Sequence, residues 1–337
     1  MNSVLVTGPT GFLGYHVIKL LNERGISPRV LLPTRIEPDS PAMLALNSQN
    51  VEIVKGNIND ADILKEVCKD IDTVFHLYFA LALGSGEALE RHLHNENVMG
   101  TSNLVDAAAQ ANVSKIVISS SALTIGMHYD ATPLDETADW EDYKLSLSYA
   151  ASRRHAEQAA LAKTAPGVPD IIVVNPSFTL GPEDWAGAPA NKLVMRMSKP
   201  GFRFTAPIGF GALDVRDYAD GVLRAAERGK SGQRYILSGS NINAERLIEE
   251  VAGIVGFRPP KLRISLRASL LYPIIFIVEL ISKITGKPPK VSRNLLEIWD
   301  RYAWYDTSKA QNELGWRPRP LQQSLQDTIE WHRQQEN

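Results

Sequence analysis

Three glycines in the first fourteen residues constrain this chain more than any other feature. A β-branched apolar run over 4–6 leads through Thr7 into Gly8, with Gly11 and Gly14 close behind. Phe12, Leu13, Val17, Leu20 and Leu21 then recur at helical spacing until Gly25 supplies a stop. A strand, a glycine turn and a helix in this order point the free N–H groups and partial positive charge of the helix start at one spot, which suits a phosphate. Gly8 is placed to take the tight turn, Gly11 to let the backbone approach a pyrophosphate, and Gly14 to let the helix pack close to the sheet. Thr7, Thr10, Phe12 and Leu13 complete this candidate binding turn.

The same alternation continues through the first half. Apolar runs at 29–32, 51–54, 73–77, 115–118 and 171–174 read as strands buried on both faces. Helical patterns separate them, the longest at 87–111 and 149–163. This predicts an α/β fold with a Rossmann-type, doubly wound parallel sheet. After Pro176, glycine and proline cluster over 181–189 and 200–211, which predicts long loops, and helical patterns return at Asn243. The division predicted is a dinucleotide-binding core over 1–175 and a smaller, mostly helical substrate-binding lobe over 176–337. A core strand and helix return near 213–240.

Composition narrows the partners. A net charge of −2 offers no basic face for nucleic acid. The single cysteine, Cys68, rules out a disulfide or a cysteine zinc cluster within these residues, and a reducing, cytoplasmic setting fits. His92 and His94, two apart on a helix, do not face each other, so no metal is expected. The longest apolar stretch, 270–281, holds Pro273 and Glu279 and falls well short of the roughly 20 residues of a membrane span. It reads either as a buried or pocket-lining helix or as a helix making peripheral contact with a membrane.

Two residues, not one, separate Gly8 from Gly11. With that spacing the turn resembles the extended short-chain dehydrogenase/reductase proteins, the NAD-dependent epimerase/dehydratase family. Phe75-His76-Leu77, Asn97-Val98-Met99-Gly100-Thr101 and Leu314-Gly315-Trp316 resemble further signatures of that family. Asn175-Pro176-Ser177 with Leu180-Gly181-Pro182 resembles its dihydroflavonol reductase and 3β-hydroxysteroid dehydrogenase-like members. The resemblance implies a nicotinamide cofactor, with contacts also at Leu77, Tyr78, Ser119, Asn175, Pro176 and Ser177. It implies a small-molecule substrate, and a homodimer paired through the two long helices.

Which cofactor is read after the second strand. NAD-selective sites carry an acid there, whereas this chain has no carboxylate until Glu37 and offers Arg35, whose planar fork suits a 2′-phosphate. NADP is expected, with NAD the alternative. Asn57 and Ile58 fall where the family meets the adenine.

Moving a hydride onto a carbonyl needs a proton donor. A free tyrosine titrates near ~10, and a cation about 4 Å away at an effective dielectric near 20 is worth roughly 4 kcal/mol, or about three pKa units. The family supplies Tyr and Lys one helical turn apart, with a Ser or Thr from the neighbouring strand. Here the matching residues are Tyr149, Arg153 in place of the lysine, and Ser121, with Ala156-Glu157 following. Arg153 is expected to lower the Tyr149 pKa and to touch the nicotinamide ribose. Three functions stay open: an NADP-dependent carbonyl reductase or alcohol dehydrogenase, an NAD-dependent nucleotide-sugar epimerase or dehydratase, and a silent cofactor-binding protein that lost the lysine.

Other residues carry lesser expectations. Tyr78-Phe79 stand where the family has two small residues and should crowd the cofactor floor or the substrate mouth. Phe202, Phe204, Trp185 and 270–281 suggest a partly hydrophobic substrate. Asn97 is expected to bond backbone, Asp217 to cap a late helix, and Glu183-Asp184 to form a solvated loop.

Overall fold

The computed structural model describes every residue except 2, 83, 85, 166, 203, 259–263, 266–267, 286–292 and 337. The first half runs β1 (Val4–Thr7), α1 (Phe12–Glu23), β2 (Arg29–Leu32), α2 (Pro41–Asn47), β3 (Glu52–Lys55), α3 (Ala61–Val67) and β4 (Thr73–His76). It continues with α4 (Glu87–Leu93), α5 (Gly100–Gln110), β5 (Lys115–Ser119), α6 (Trp140–Tyr143), α7 (Ser148–Leu161) and β6 (Asp170–Pro176). The second half adds β7 (Phe178–Leu180), α8 (Pro189–Met197), β8 (Phe204–Thr205), β9 (Gly209–Asp214), α9 (Val215–Arg228), β10 (Arg234–Leu237) and β11 (Ser240–Asn243). Last come α10 (Ala244–Val255), β12 (Ile264–Ser265), α11 (Ala268–Thr285) and α12 (Leu321–Glu336).

Seven strands form one parallel sheet in the order β3-β2-β1-β4-β5-β6-β10. This is the doubly wound, Rossmann-type arrangement, and its strand order reverses between β1 and β4, where a crevice opens at the carboxyl ends. Alternating side chains explain why the strands read as unbroken apolar runs. Val6 faces α1 and α9 among Val17, Leu21, Tyr218 and Val222. Leu5 faces the opposite layer, among Val74, Leu104, Ile116 and Ile171. Each such fully buried side chain contributes roughly 1.5–3 kcal/mol. The late helix and strand occupy α9 and β10, and β10 pairs with β6.

Several expectations shift. The third strand lies one residue later, at the sheet edge, with Glu52, Ile53 and Lys55 exposed. The 200–211 segment holds β8 and runs into β9, which pairs with β7 and β11 in a small second sheet. The long helix at 87–111 is continuous but broadens into a π-turn over His94–Met99, between α4 and α5. Asp214 caps α9 by accepting from the Arg216 N–H, and Asp217, one turn in, instead pairs with Arg319 at 2.9 Å.

The C-terminal part packs α8, α10 and α12 around Leu180, Val194, Leu247, Val251 and Leu325. Phe202 belongs to this packing, and Trp185 stands edge-on to Trp331, so neither ring is grouped with Tyr149 as the substrate expectation had them; the Phe204 side chain lies outside the described residues. Glu183 pairs with Lys19 at 2.7 Å, and buried Asp184 accepts from Ala188 N and Asn191 Nδ2. That pair is an anchor, not a solvated loop. His16 Nε2 donates to the Pro182 carbonyl at 3.0 Å, and burial lowers its pKa to about 4, so the imidazole is neutral.

Candidate active site

The carboxyl ends of β1 to β6 deliver the candidate residues to one crevice: Thr7, Arg35, Asn57, Tyr78, Ser121 and Ser177 each leave or closely follow a different strand. At one end sits the glycine turn. Gly8 has φ +72°, and a Cβ there would meet the Tyr78 backbone at 2.9 Å. A Cβ on Gly14 would land 2.0 Å from the Gly8 carbonyl oxygen. Gly14 therefore lets α1 close over its own turn, a tighter reason than packing against the sheet. Gly11 is exposed, and no side chain caps α1, so its first N–H groups stay available to an anion. Beside the turn is a cleft of about 220 Å³, lined by Thr7, Arg35, Asn57, Ile58, Tyr78 and Glu96 among others. Arg35 is exposed there and makes no ion pair among the described residues. The bare turn and the adjoining cleft fit a pyrophosphate and an adenosine.

A buried relay holds this end in register. Thr101 Oγ1 donates to the Asn97 carbonyl at 2.6 Å, so it accepts from His76 Nε2 at 2.9 Å. His76 Nδ1 must then accept from Thr7 Oγ1 at 2.8 Å. Thr7 in turn accepts from the Leu77 and Tyr78 N–H groups, which draws Leu77 out of β4. Burial and then Arg153 push the His76 pKa down to about 3, which fixes the neutral ring that the relay needs. Asn97, in the π-turn, bonds both backbone groups of Ala80 and donates to Ser152 Oγ at 3.0 Å, tying α7 to β4 as expected of it.

At the other end stand Ser121, Tyr149 and Arg153. Tyr149 is 6% exposed, and Ser121 lies beside its phenol and favours the phenolate. Arg153, one turn along α7 and 2% exposed, donates from Nη2 to the Ser119 carbonyl. Its guanidinium lies 4.7 Å above the Phe79 ring, and Phe79 tilts against Tyr149 at 6.1 Å. Burial raises the Tyr149 pKa, outweighing the Arg153 cation and the Ser121 bond, which both lower it. Arg153 lowers the Tyr149 pKa as expected, but the net shift is upward, because the desolvation of a buried phenolate exceeds the attraction of a charge spread over a guanidinium and shared with a carbonyl and a ring.

The NAD dependent epimerase/dehydratase family model matches residues 4–238. The chain belongs to this family. It is 32% identical over 334 residues to a putative dihydroflavonol 4-reductase of Synechocystis, covering 97% of this chain and 93% of the relative. It is 23% identical to sterol demethylase protein B of Methylococcus capsulatus, covering 98% of each. The crystal structure of gox2253 superposes with a TM-score of 0.83 at 31% identity, covering 99% of both chains.

Within this epimerase/dehydratase family member, two departures from the usual pattern prove to be one. Arg153 replaces a lysine and Phe79 a small residue, and the two stack on each other. Cation–π contacts of this kind are worth about 0.5–2 kcal/mol. Tyr78 parts from Phe79: its hydroxyl reaches Glu96 in the adenosine cleft, and burial with that carboxylate holds its pKa well above the usual tyrosine range. Sequence reasoning had both rings crowding the cofactor floor or the substrate mouth and missed that they part to opposite ends.

Several of the assigned cofactor contacts have side chains engaged within the protein. Asn175 is fully buried, and its Nδ2 donates to Glu157 Oε2 at 3.0 Å and Thr124 Oγ1 at 2.9 Å. Ser119 and Pro176 are buried within their strands, and Ser177 Oγ donates to the Gly211 carbonyl. The side chains of Asn175, Ser119 and Pro176 are turned inward and brace the segment that carries Ser121, while Ser177 is half-buried just after β6. Glu157 is the anchor that was missed. Fully buried, it meets Arg234 at 2.5 Å and Arg154 at 3.3 Å. Its signal was a carboxylate on the small-residue face of α7, beside Ala156 and Ala160.

Proposed function

We propose that the chain is an NADP-dependent carbonyl reductase or alcohol dehydrogenase acting on a small to medium, partly hydrophobic substrate. The observation that carries this reading is a buried tyrosine with Ser121 beside its phenol, one turn before the buried cation Arg153. Bound NADPH supplies a hydride to the carbonyl carbon. Tyr149 gives its proton to the carbonyl oxygen, and Ser121 orients that oxygen. Arg153 balances the phenolate left behind. Its buried Nε has no hydrogen-bond partner among the described residues, so it retains one donor for a ribose hydroxyl. Arg35, without a carboxylate partner among the described residues, is the group for a 2′-phosphate. Burial favours the neutral Tyr149 phenol, the form that reduction consumes. The Synechocystis relative named a reductase and the Methylococcus relative named for sterols support an apolar carbonyl substrate. A homodimer through α5 and α7, which pack side by side, belongs to the same reading and is checked by sedimentation.

The test is loss of NADPH absorbance with a panel of apolar aldehydes and ketones. Tyr149→Phe should cut turnover by about 10²–10⁴-fold while leaving NADPH affinity unchanged. Full turnover by that variant refutes the assignment. The engagement of Arg153 with Ser119 and Phe79 favours a second reading, catalytic silence. It is established if wild type binds NADPH but turns over nothing in the panel and Arg153→Lys gains activity.

A further inference from the structure

Helix α11 differs from every surface element around it. Its 18 residues reach roughly 27 Å at 1.5 Å per residue. Ile275 is buried, while Ile274, Phe276 and Ile277 are 58%, 54% and 56% exposed. Tyr272, Val278 and Ile281 are exposed as well. At 100° per residue these six exposed side chains spread over an arc of about 240°. A surface helix packed on one body, or on one partner, needs an apolar stripe little wider than about 100°. An apolar arc more than twice that width suits a medium that surrounds the helix on three sides. Among the described residues no helix is long and apolar enough to cross a membrane, so the medium is entered from one side only.

Charge says which surface. Arg258, Lys261, Arg263 and Arg267 precede the helix in sequence. Lys283, Lys287, Lys290 and Arg293 close and follow it, and Glu279 is the one acid over 258–293. The chain as a whole carries −2, so this strongly basic stretch sits against an acidic remainder. An apolar helix bracketed by cations matches a bilayer with anionic headgroups.

We propose that α11 docks on an anionic lipid bilayer, with the cations that flank it in sequence supplying the attraction to the headgroups. The inference rests on exposure and charge and is independent of the catalytic reading. It does place the bilayer near the active site. The turn Arg293–Ile298 packs on α11, and there Glu297 accepts from the Ser146 N–H at 2.6 Å, three residues before Tyr149. A substrate dissolved in the bilayer would enter from that side.

The experiment is co-sedimentation of the full chain with vesicles of phosphatidylcholine, with and without phosphatidylglycerol. Strong partition onto the anionic vesicles is expected, weakening several-fold as salt is raised. Lys283→Glu with Lys287→Glu should reduce partition by about fivefold or more per cation removed. Ile274→Glu with Ile277→Glu should abolish it, with NADPH affinity and melting temperature unchanged. If wild type ignores anionic vesicles at low salt, or binds both vesicle types equally and without salt dependence, the proposal is overturned. It is likewise overturned if the isoleucine pair only dissociates a concentration-dependent dimer, because a second copy of the chain would then be what covers the helix. The wild-type salt series decides the matter even if that variant fails to fold.

Discussion

The two ends of the crevice are built from different materials. The glycine-turn end is backbone: a tight turn, free N–H groups and a cleft whose shape depends on missing side chains. The catalytic end is side chains: Ser121, Tyr149 and Arg153, propped by Phe79, Asn97, Asn175 and Glu157. The first keeps its family's pattern closely, and the second has exchanged a lysine for an arginine. The difference teaches where change is tolerated. A backbone cradle admits no extra atom, whereas a side-chain constellation can absorb a larger cation if a neighbour enlarges to hold it, as Phe79 does.

The largest test of that contrast is at the propped end. Glu157→Ala strips a buried carboxylate from Arg154 and Arg234 and should destabilise the fold by about 3–5 kcal/mol, read as a lowered melting temperature. A melting point equal to wild type would mean the props are dispensable. Next comes the cradle. Gly14→Ala forces a Cβ onto the Gly8 carbonyl, and the shift should cost about 1–3 kcal/mol, a ten- to hundredfold loss of NADPH affinity by calorimetry. Undiminished binding would show that the backbone end is more pliable than described.

Arg35→Ala removes one exposed cation and should lower the preference for NADPH over NADH by about tenfold, sparing NADH itself. An unchanged ratio would take Arg35 out of the site. The smallest effect concerns pH. Reduction needs the protonated phenol, and burial raises the Tyr149 pKa above its ordinary 10.0. The reductive rate should therefore stay level through neutral pH and fall only as pH climbs past that ordinary value. Arg153→Lys frees a compact ammonium from the Phe79 face and should move the fall to lower pH by under about one unit. A wild-type inflection near neutrality would show that the cation outweighs burial after all.

Much of this was legible beforehand. The turn at Gly8–Gly14, the strands of the sheet and the late α9 and β10 follow from patterns local in sequence, and the trio Ser121, Tyr149 and Arg153, implied by the family resemblance, lies together in the structure. Asn97 was read as a backbone ligand and is one. Asn175, Ser119 and Pro176 were read as facing a cofactor, yet their side chains look inward, because position in a motif does not say which way a residue at a strand end turns. Glu157, His76 and the Phe79–Arg153 stack carried little sequence signal, since each depends on partners far away in the chain.

Periodicity and glycine spacing, being short-range steric facts, were enough to determine a parallel sheet with a phosphate-ready turn at its first strand. Only the folded chain decided the protonation of the site. Whether a phenol beside a guanidinium titrates early or late depends on how much water is left around both, and burial is a property of the whole packed structure.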